Sequence, residues 1–379
     1  MNALNLLIKP ASGACQYDCA YCFYRDEMEK RQAKELGLMK LETMENIVKK
    51  AFAVAQQVTF AFQGGEPMLA GLDFFEQVVA LQKRYARGKA YANNLQTNGG
   101  LLDEEWVRFL KKESFLVGLS MDGDAAAHDR YRKDKEGKGT WEKTHQAAEL
   151  LKKYEVPFNV LCVVTKANVA RGQEIYKELK PYRFLQFIPC LEALDGEEKA
   201  YSPSNAEYAR FLNDTFELYR KDYLQGEYTS IRLFDNYVQM LMGMQPESCS
   251  MRGQCSVSFT IESDGSVYPC DFYCLDEWRL GSVNEQSFFE LMNSKTAKDF
   301  VNSSVAMHPK CKTCQYFNLC RGGCRREREQ SSFDSAGKLN RYCEAYKSFF
   351  EQNYERLKKL KELTLKAWKT GKYEQSISK

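Results

Sequence analysis

Apolar and amphipathic segments alternate along the first half of the chain. Six short apolar runs have the length of buried strands, at 4–9, 58–62, 93–97, 115–121, 158–164 and 184–189. Between them, apolar positions recur with the helical period at 44–57, 74–85, 104–112, 144–154 and 173–180. Strands that alternate with helices predict a parallel βα repeat, hence an α/β barrel or an open α/β sheet.

The pattern changes in the second half. Residues 201–244 are periodic and helical, but after Pro246 the sequence is rich in glycine, serine and turn residues. Nine cysteines lie between positions 249 and 343. We predict few helices and a small apolar core there, with bound metal as the main stabilising element. Residues 344–369 form an amphipathic, basic helix that we expect to pack on the domain with one face in solvent.

Composition excludes several classes of function. The 379 residues carry a net charge of only +3, which gives no electrostatic reason to expect a nucleic acid or a membrane surface as partner. The N-terminal apolar run is too short for a signal sequence, and no stretch approaches a membrane span. We therefore expect a cytoplasmic protein.

The cysteine content points to metal or redox chemistry. Fourteen cysteines in a cytoplasmic chain favour metal binding over disulfides, and only three histidines are available to share that binding. Thiolates must then be the ligands, and sites with many thiolates favour zinc or iron–sulfur clusters.

The segment CQYDCAYC directly follows the first predicted strand. A closed zinc or iron–sulfur site takes four protein ligands, but Cys15, Cys19 and Cys22 are only three. Three thiolates on a four-iron cluster leave one iron open, and an open iron can bind a chelating substrate. The alternative is a zinc knuckle that takes its fourth ligand from a distant cysteine.

Two further segments lie at the predicted carboxyl ends of strands, where α/β folds place their chemistry. In QGGEP, after the second strand, the glycines allow a close approach of backbone to a ligand, and Glu66 and backbone carbonyls can accept from an ammonium group. An ordinary strand-to-helix turn would carry the same residues. Ser120 ends the fourth strand, and Arg132 follows in HDRYRKD. A plain surface arginine is the alternative for Arg132.

The cysteine-rich half contains enough thiolates for two complete clusters. Apart from Cys274, its cysteines are Cys249, Cys255, Cys270, Cys311, Cys314, Cys320, Cys324 and Cys343, which are eight possible ligands. Two zinc ribbons are the alternative, since C-x2-C alone does not distinguish zinc from iron. Cys162 and Cys190 lie in apolar strands and are most simply buried small side chains. For Cys274, a free thiol is expected over a cluster ligand.

Asp271 directly follows one of these cysteines. A carboxylate held beside a redox centre can accept a proton from a substrate thiol or hydroxyl, although a capping aspartate would look the same in sequence.

The motifs together resemble a known family. LLIKPASGACQYDCAYCFY, FAFQGGEPMLAGLDFF, LQTNG, FLVGLSMDG, SDGSVYPCDFY and CRGGCRRE are similar to segments of the anaerobic sulfatase-maturating enzymes. These are radical S-adenosylmethionine (SAM) enzymes with a cysteine-rich SPASM extension. The resemblance implies an α/β fold with a partial (β/α)6 barrel in residues 1–235. A SPASM domain with two auxiliary 4Fe-4S clusters would follow in 236–345, and a C-terminal helix in 346–379.

The resemblance also implies roles for individual residues. Cys15, Cys19 and Cys22 would hold the cluster that binds S-adenosyl-L-methionine. One auxiliary cluster would take Cys249, Cys255, Cys270 and Cys324, and the other would take Cys311, Cys314, Cys320 and Cys343. The S-adenosylmethionine site would contain Tyr21, Gln63, Gly64, Gly65, Glu66, Ser120 and Arg132. Asp271 would be the catalytic base, and Tyr24 would lie close to the substrate.

The activity implied is oxidation of a cysteine or serine in a sulfatase precursor, within a C/S-x-P/A-x-R segment, to Cα-formylglycine. A 5′-deoxyadenosyl radical would remove a hydrogen from Cβ, with three 4Fe-4S clusters, an electron donor such as flavodoxin or ferredoxin, and an anaerobic host. One alternative is another SPASM-type peptide-modifying enzyme, for instance one that forms thioethers. Such enzymes often have an N-terminal peptide-binding domain, for which we expect no room because the first strand begins at residue 4. A non-catalytic zinc or iron–sulfur module is the other alternative, but it does not explain the missing fourth cysteine.

Overall fold

The structure, a computed structural model, describes residues 1–194, 199–329 and 339–369. Its ten strands are β1 (Ala3–Ile8), β2 (Gln57–Phe62), β3 (Ala90–Thr97), β4 (Leu116–Ser120), β5 (Phe158–Val164), β6 (Phe184–Pro189), β7 (Ser230–Ile231), β8 (Thr260–Ile261), β9 (Ser266–Tyr268) and β10 (Gly281–Ser282) within those ranges. The α-helices of the same ranges are α1 (Phe23–Lys30), α2 (Leu41–Val54), α3 (Leu72–Ala86), α4 (Glu104–Lys112), α5 (Ala125–Tyr131), α6 (Trp141–Lys153), α7 (Gly172–Leu179), α8 (Asn205–Gln225), α9 (Arg232–Leu241), α10 (Phe288–Asn293), α11 (Lys295–Ser303), α12 (Pro309–Lys312), α13 (Phe317–Cys320), α14 (Arg325–Glu329) and α15 (Cys343–Lys369).

The chain divides into two compact units, each made of several segments. The first unit contains residues 1–120, 132–158 and 256–303, and the second contains 121–131, 159–255 and 304–379. Residues 195–198, 330–338 and 370–379 lie outside the described part, so the last ten residues of the predicted 346–379 helix lie there too. The predicted domain boundaries at 235 and 345 stay a prediction.

The first unit contains seven neighbouring strands of a sheet, in the order β10-β9-β8-β1-β2-β3-β4. β1 to β4 are parallel to their neighbours, and β1 also pairs in parallel with β8. Strand β9 pairs in antiparallel orientation with both β8 and β10. Strand side chains such as Leu6, Ile8 and Phe60 are at most 1 % exposed, and Phe62 packs edge-on against Phe75 of α3. This burial fixes the carboxyl ends of the strands, where the loops with predicted function begin.

The second unit combines the parallel strands β5, β6 and β7 with long helices. The basic helix α15 packs against α8 and α9. Phe349 contacts the rings of Phe216, Phe234 and Tyr237 at centroid distances of 5.3, 5.6 and 5.9 Å. The prediction of a helix packed through one face is confirmed for the residues described. Cys162 and Cys190 are each 1 % exposed, so their predicted burial is also confirmed.

The prediction of few helices and a small apolar core between 249 and 343 is wrong. Helices α10 to α14 all lie in this region, and each has only four to nine residues. Such helices are too short to show a clear apolar period in the sequence. Phe259, Val283, Phe288, Leu291 and Phe300 are at most 1 % exposed, so residues 256–303 have an apolar core of their own.

Across the described residues, no helix combines the length and the apolar character needed to cross a membrane.

Candidate active site

The loop that follows β1 carries the three-cysteine motif. The Sγ of Cys15 accepts hydrogen bonds from the backbone N–H of Tyr17 at 3.3 Å and from Nδ2 of Asn98 at 3.4 Å. Burial raises the pKa of the Cys15 thiol to about 12, and the charges of Cys19 and Cys22 act in the same direction. The assignment of the three thiols to one cluster stays a prediction.

The motif is braced by the QGGEP segment at the end of β2. The backbone N–H groups of Gly65 and Glu66 donate to the carbonyls of Ser12 and Ala14, each at 2.8 Å. A Cβ on Gly65 would lie 2.0 Å from the carbonyl oxygen of Ala14, and one on Gly64 would lie 2.6 Å from that of Ser12. Gly64 also has a φ of +116°, which disfavours any other residue. The two glycines are required because the two loops touch through their backbones.

Glu66 stabilises this arrangement from within. Its carboxylate is fully buried and accepts hydrogen bonds from the backbone of Met68 and Asn98 and from the hydroxyl of Thr97, at 2.9–3.1 Å. Burial raises the pKa of Glu66 to about 7, although the backbone hydrogen bonds oppose the shift. Because its oxygens have partners within the chain, the Glu66 side chain helps to hold the loop together, and its predicted contact with S-adenosylmethionine stays a prediction.

A second brace comes from the segment that contains Arg132. The N–H of Asp18 donates to the carbonyl of Lys133 at 2.6 Å. Arg132 is only 8 % exposed, so the alternative of a plain surface arginine is wrong. Its guanidinium lies 5.4 Å from the ring centroid of Tyr21 and 3.9 Å from the Sγ of Cys19. A buried cation thus lies beside the predicted cluster ligands.

Ser120 lies at the end of β4, where its hydroxyl accepts a hydrogen bond from Nε2 of Gln96 at 3.0 Å. It is partly exposed, as a ligand contact requires.

The predicted base Asp271 begins a single 3-10 turn, Asp271–Tyr273, and its carboxylate accepts hydrogen bonds from two side chains. The hydroxyl of Tyr24 donates to Oδ2 at 2.7 Å, and Nε2 of Gln63 donates to the same oxygen at 3.1 Å. Gln63 also donates to the Tyr24 hydroxyl at 2.8 Å. The structure therefore groups Gln63, a predicted S-adenosylmethionine contact, with the predicted base and Tyr24.

Sequence reasoning missed a set of buried charged side chains around Asp271. This set, here the Lys9 cluster, consists of Lys9, Glu27, Arg31, Glu262, Asp271 and Cys274. The Nζ of Lys9 lies 3.2 Å from Glu262, 3.2 Å from the sulfur of Cys274, 3.3 Å from Asp271 and 3.7 Å from Glu27. Arg31 pairs with Glu262 at 2.6 Å. One signal was available: Lys9 stands directly after an apolar strand, at its carboxyl end.

Burial and the charges of the Lys9 cluster shift the pKa values of its carboxyl groups. Burial raises the pKa of Glu27 to about 8, despite the opposing charge of Lys9. Burial likewise raises the pKa of Asp271, again against the effect of Lys9. The pKa of Glu262 is lowered, because Lys9 and Arg31 outweigh its burial. With two cations against three carboxylates, Glu27 is the group that stays protonated near neutral pH.

Besides the buried Cys162 and Cys190, the second unit contains seven cysteines: Cys249, Cys255, Cys311, Cys314, Cys320, Cys324 and Cys343. The charges of Cys311 and Cys314 add to burial in raising the pKa of both Cys320 and Cys343. In the same unit, Cys249 and Cys255 contribute to the raised pKa of Cys324, again after burial. The assignment of these cysteines to two ligand sets stays a prediction, and Cys270 belongs to the first unit.

The cysteines are available as thiolate ligands. All fourteen cysteines lie within the described residues, and none of them forms a disulfide there. Among these residues, no three His, Cys, Asp or Glu side chains are arranged to hold a single metal ion. The thiolates of one zinc ion converge to about 2.3 Å from it, whereas those of a four-iron cluster bind different irons and lie farther apart.

Comparison with known proteins agrees with this chemistry. Residues 10–179 match the model of the radical SAM superfamily, and residues 249–315 match that of the SPASM iron-sulfur cluster-binding domain. The chain is thus a radical SAM enzyme with a SPASM domain.

Relatives that match almost the whole chain show which family of radical SAM enzymes it belongs to. The cysteine-type anaerobic sulfatase-maturating enzyme of Clostridium novyi is 46% identical over 363 residues, which cover 94% of this chain and 97% of the relative. The serine-type enzyme of Bacteroides thetaiotaomicron is 31% identical, over 92% of this chain and 89% of its own. A solved structure of anSMEcpe with bound AdoMet and Cp18Cys peptide is 45% identical, with a TM-score of 0.90, covering 96% of this chain and 99% of that one. The chain belongs to the family of anaerobic sulfatase-maturating enzymes.

Proposed function

We propose that this enzyme oxidises a cysteine or serine side chain in a sulfatase precursor to Cα-formylglycine. The observation that carries the proposal is the carboxylate of Asp271, held by Tyr24 and Gln63 directly after a predicted cluster ligand. A buried base next to an electron acceptor suits a substrate that must lose a proton and an electron together. Sequence identity along almost the whole chain to sulfatase-maturating relatives supports the same conclusion.

We propose that three 4Fe-4S clusters and S-adenosyl-L-methionine are the cofactors. The thiolates of Cys15, Cys19 and Cys22 would hold the first cluster, and the two auxiliary clusters would take the two ligand sets predicted from the resemblance. Seven residues would surround S-adenosylmethionine: Tyr21, Gln63, Gly64, Gly65, Glu66, Ser120 and Arg132. The burial of Arg132 beside Tyr21 and Cys19 supports this assignment. When bound, these cofactors supply the 5′-deoxyadenosyl radical that removes a hydrogen atom from the substrate Cβ.

The chain itself then supplies the base. After a hydrogen atom has left Cβ, Asp271 accepts the proton of the substrate thiol or hydroxyl, and one electron leaves toward an iron–sulfur acceptor. The balance is a two-electron oxidation, which converts a serine to the aldehyde directly and a cysteine to a thioaldehyde that water hydrolyses. The hydroxyl of Tyr24 stabilises the ionised form of Asp271 through its hydrogen bond at 2.7 Å.

We propose a cysteine-bearing precursor as the preferred substrate. The cysteine-type relative is 46% identical to this chain and the serine-type relative 31%. A small acidic redox protein of the flavodoxin or ferredoxin type would supply electrons. A thioether-forming peptide enzyme is the alternative function, and the high identity to sulfatase-maturating relatives argues against it.

The test is anaerobic incubation with S-adenosylmethionine, a reductant and matched peptides that carry C-x-P-x-R or S-x-P-x-R. Mass spectrometry should detect formylglycine, faster from the cysteine peptide. A peptide crosslinked through a thioether, with no aldehyde, would refute the proposal.

The role of Asp271 is tested with Asp271→Asn, which keeps the size but loses the proton acceptor. Positioned general bases contribute roughly 10²–10⁴-fold, so formylglycine should fall by about that range. Cleavage of S-adenosylmethionine should fall much less, and deuterium at Cβ should still reach 5′-deoxyadenosine. Product at the parent rate from an iron-replete variant would exclude the base role.

A further inference from the structure

Lys9 is a buried cation with several carboxylates around it. Its side chain is 2 % exposed, and its ammonium has Asp271, Glu262 and Glu27 within 3.7 Å. The strand β1 ends one residue earlier, at Ile8, so the backbone of Lys9 is fixed by the sheet. Because its backbone is fixed, the ammonium of Lys9 can hold a carboxylate that it contacts in one position.

The contacts of Asp271 divide between its two oxygens. Oδ2 accepts from Tyr24 and Gln63, whereas Oδ1 lies 3.3 Å from Nζ of Lys9. Within the described part of the chain, Asp271 forms its ion pair with Lys9. With only Oδ2 held, the carboxylate could rotate about its side-chain bonds, and the charge of Lys9 on the other oxygen removes that freedom.

The second cation of the Lys9 cluster, Arg31, shares Glu262 with Lys9 but contacts Ser12 where Lys9 contacts Asp271. Arg31 contacts Glu262 at 2.6 Å and the hydroxyl of Ser12 at 3.4 Å. Lys9 and Arg31 are both at most 5 % exposed, so the two cations are buried to a similar degree. The pair therefore allows an experiment that separates the loss of a buried charge from the loss of the contact to Asp271.

We propose that Lys9 is a positioning residue for the reaction: its ammonium fixes Asp271 in the orientation that takes the proton from the substrate thiol or hydroxyl. The inference rests on the proposed role of Asp271 as base. Glu262 in turn holds Lys9 in place through Oε1, which lies 3.2 Å from its ammonium. Lys9 does not touch the substrate and acts through Asp271.

The test compares Lys9→Met with Arg31→Met in the reconstituted enzyme. The readout is formylglycine formed per 5′-deoxyadenosine, which a purely structural defect that lowers the amount of active enzyme leaves unchanged. Misplacement of a reacting group by about 1 Å costs on the order of 10²-fold, so we expect Lys9→Met to lower this ratio about 10- to 100-fold. The ratio should stay within about twofold of the parent in Arg31→Met, and Lys9→Arg, which keeps the charge, should restore part of it.

Several results would overturn the proposal. They are an unchanged ratio in Lys9→Met, an equal fall in Arg31→Met, or a loss of product that only follows the loss of iron. If Lys9→Met does not fold, Lys9→Gln, which removes the charge but keeps a polar side chain in the buried cluster, is measured instead. Failure of both to fold would assign Lys9 to stability alone and overturn the positioning role.

The proposed base role can fail separately. Asp271→Asn with parent-level product would refute the base and, with it, the role of Lys9. A product loss in Asp271→Asn together with a normal ratio in Lys9→Met would refute only the role of Lys9.

Discussion

Gly65 packs directly against the backbone that precedes Cys15, so we expect Gly65→Ala to be strongly destabilising. A Cβ at position 65 would lie 2.0 Å from the carbonyl oxygen of Ala14, 2.5 Å from the carbonyl carbon of Gly13 and 2.6 Å from that of Ala14. Ordinary contacts begin at 3.4 Å, so Gly65→Ala must open about 1.4 Å between the two segments. All three obstacles are backbone atoms, and rotation of a side chain therefore cannot relieve the overlap.

The cost has two parts. Overpacking of this kind costs about 1–3 kcal/mol. The hydrogen bonds from Gly65 to Ser12 and from Glu66 to Ala14 are stretched as well, at about 1 kcal/mol each. Unfolding free energy should thus fall by about 3–5 kcal/mol if the loops stay folded. Because Ala14 precedes Cys15, the same displacement reaches the cluster ligand, and misplacement of about 1 Å costs on the order of 10²-fold in rate.

Three measurements test this: thermal unfolding, iron content and formation of 5′-deoxyadenosine. Gly88→Ala is the control. Position 88 has a φ of +84° but no atom within 4 Å of an added Cβ, so that variant carries backbone strain of about 1–2 kcal/mol without the overlap. Gly65→Ala with the stability and cofactor cleavage of Gly88→Ala would refute the argument from close packing.

Three further predictions follow from the cysteines and the Lys9 cluster. Replacing all three cysteines of the first motif by alanine should abolish 5′-deoxyadenosine formation and leave iron for roughly two clusters, measured by iron and sulfide analysis; retained cleavage would contradict the ligand assignment. Cys320→Ala should give poorly soluble, iron-depleted protein because metal binding contributes to folding, whereas Cys190→Ala should keep its iron. Glu27 has a pKa raised from 4.5 to about 8, so the folded state binds its proton more tightly and stability falls as pH rises toward 8. Between pH 6 and 8 the free energy of unfolding of the parent should fall by about 2 kcal/mol more than that of Glu27→Gln. Denaturant unfolding at equal iron content measures this difference.

The sequence predicted the sheet well because its strands are locally encoded. The predicted runs 158–164 and 184–189 coincide with β5 and β6, and the other early strands differ by a few residues at their ends. β3 begins at Ala90, three residues before the predicted start, because Tyr91 pairs with Val58 although neither neighbour of Tyr91 is strongly apolar. Sheet pairing extended the strand beyond its apolar residues.

The site was predicted in part. Asp271 and Tyr24 were both predicted from the family resemblance, and the structure adds the hydrogen bond that joins them. The Lys9 cluster was missed because its members are far apart along the chain: Lys9 and Cys274 are 265 positions apart. A single sequence contains no local signal for such a contact, and a lone lysine or glutamate is usually a surface residue.

The parallel pairing of β1 with β8 has a consequence for synthesis of the chain. Leu7 pairs with Thr260, and Ile8 with Ile261, so the partner of the first strand is made 253 residues later. At about 5–20 residues per second, the ribosome needs roughly 13–50 s to produce it. During that time one edge of β1 has unpaired N–H and C=O groups, which can pair with another nascent chain. Protein yield should therefore depend on chaperones that shield this edge, and a chain that stops before residue 260 should aggregate even though the residues of its three-cysteine motif are all present.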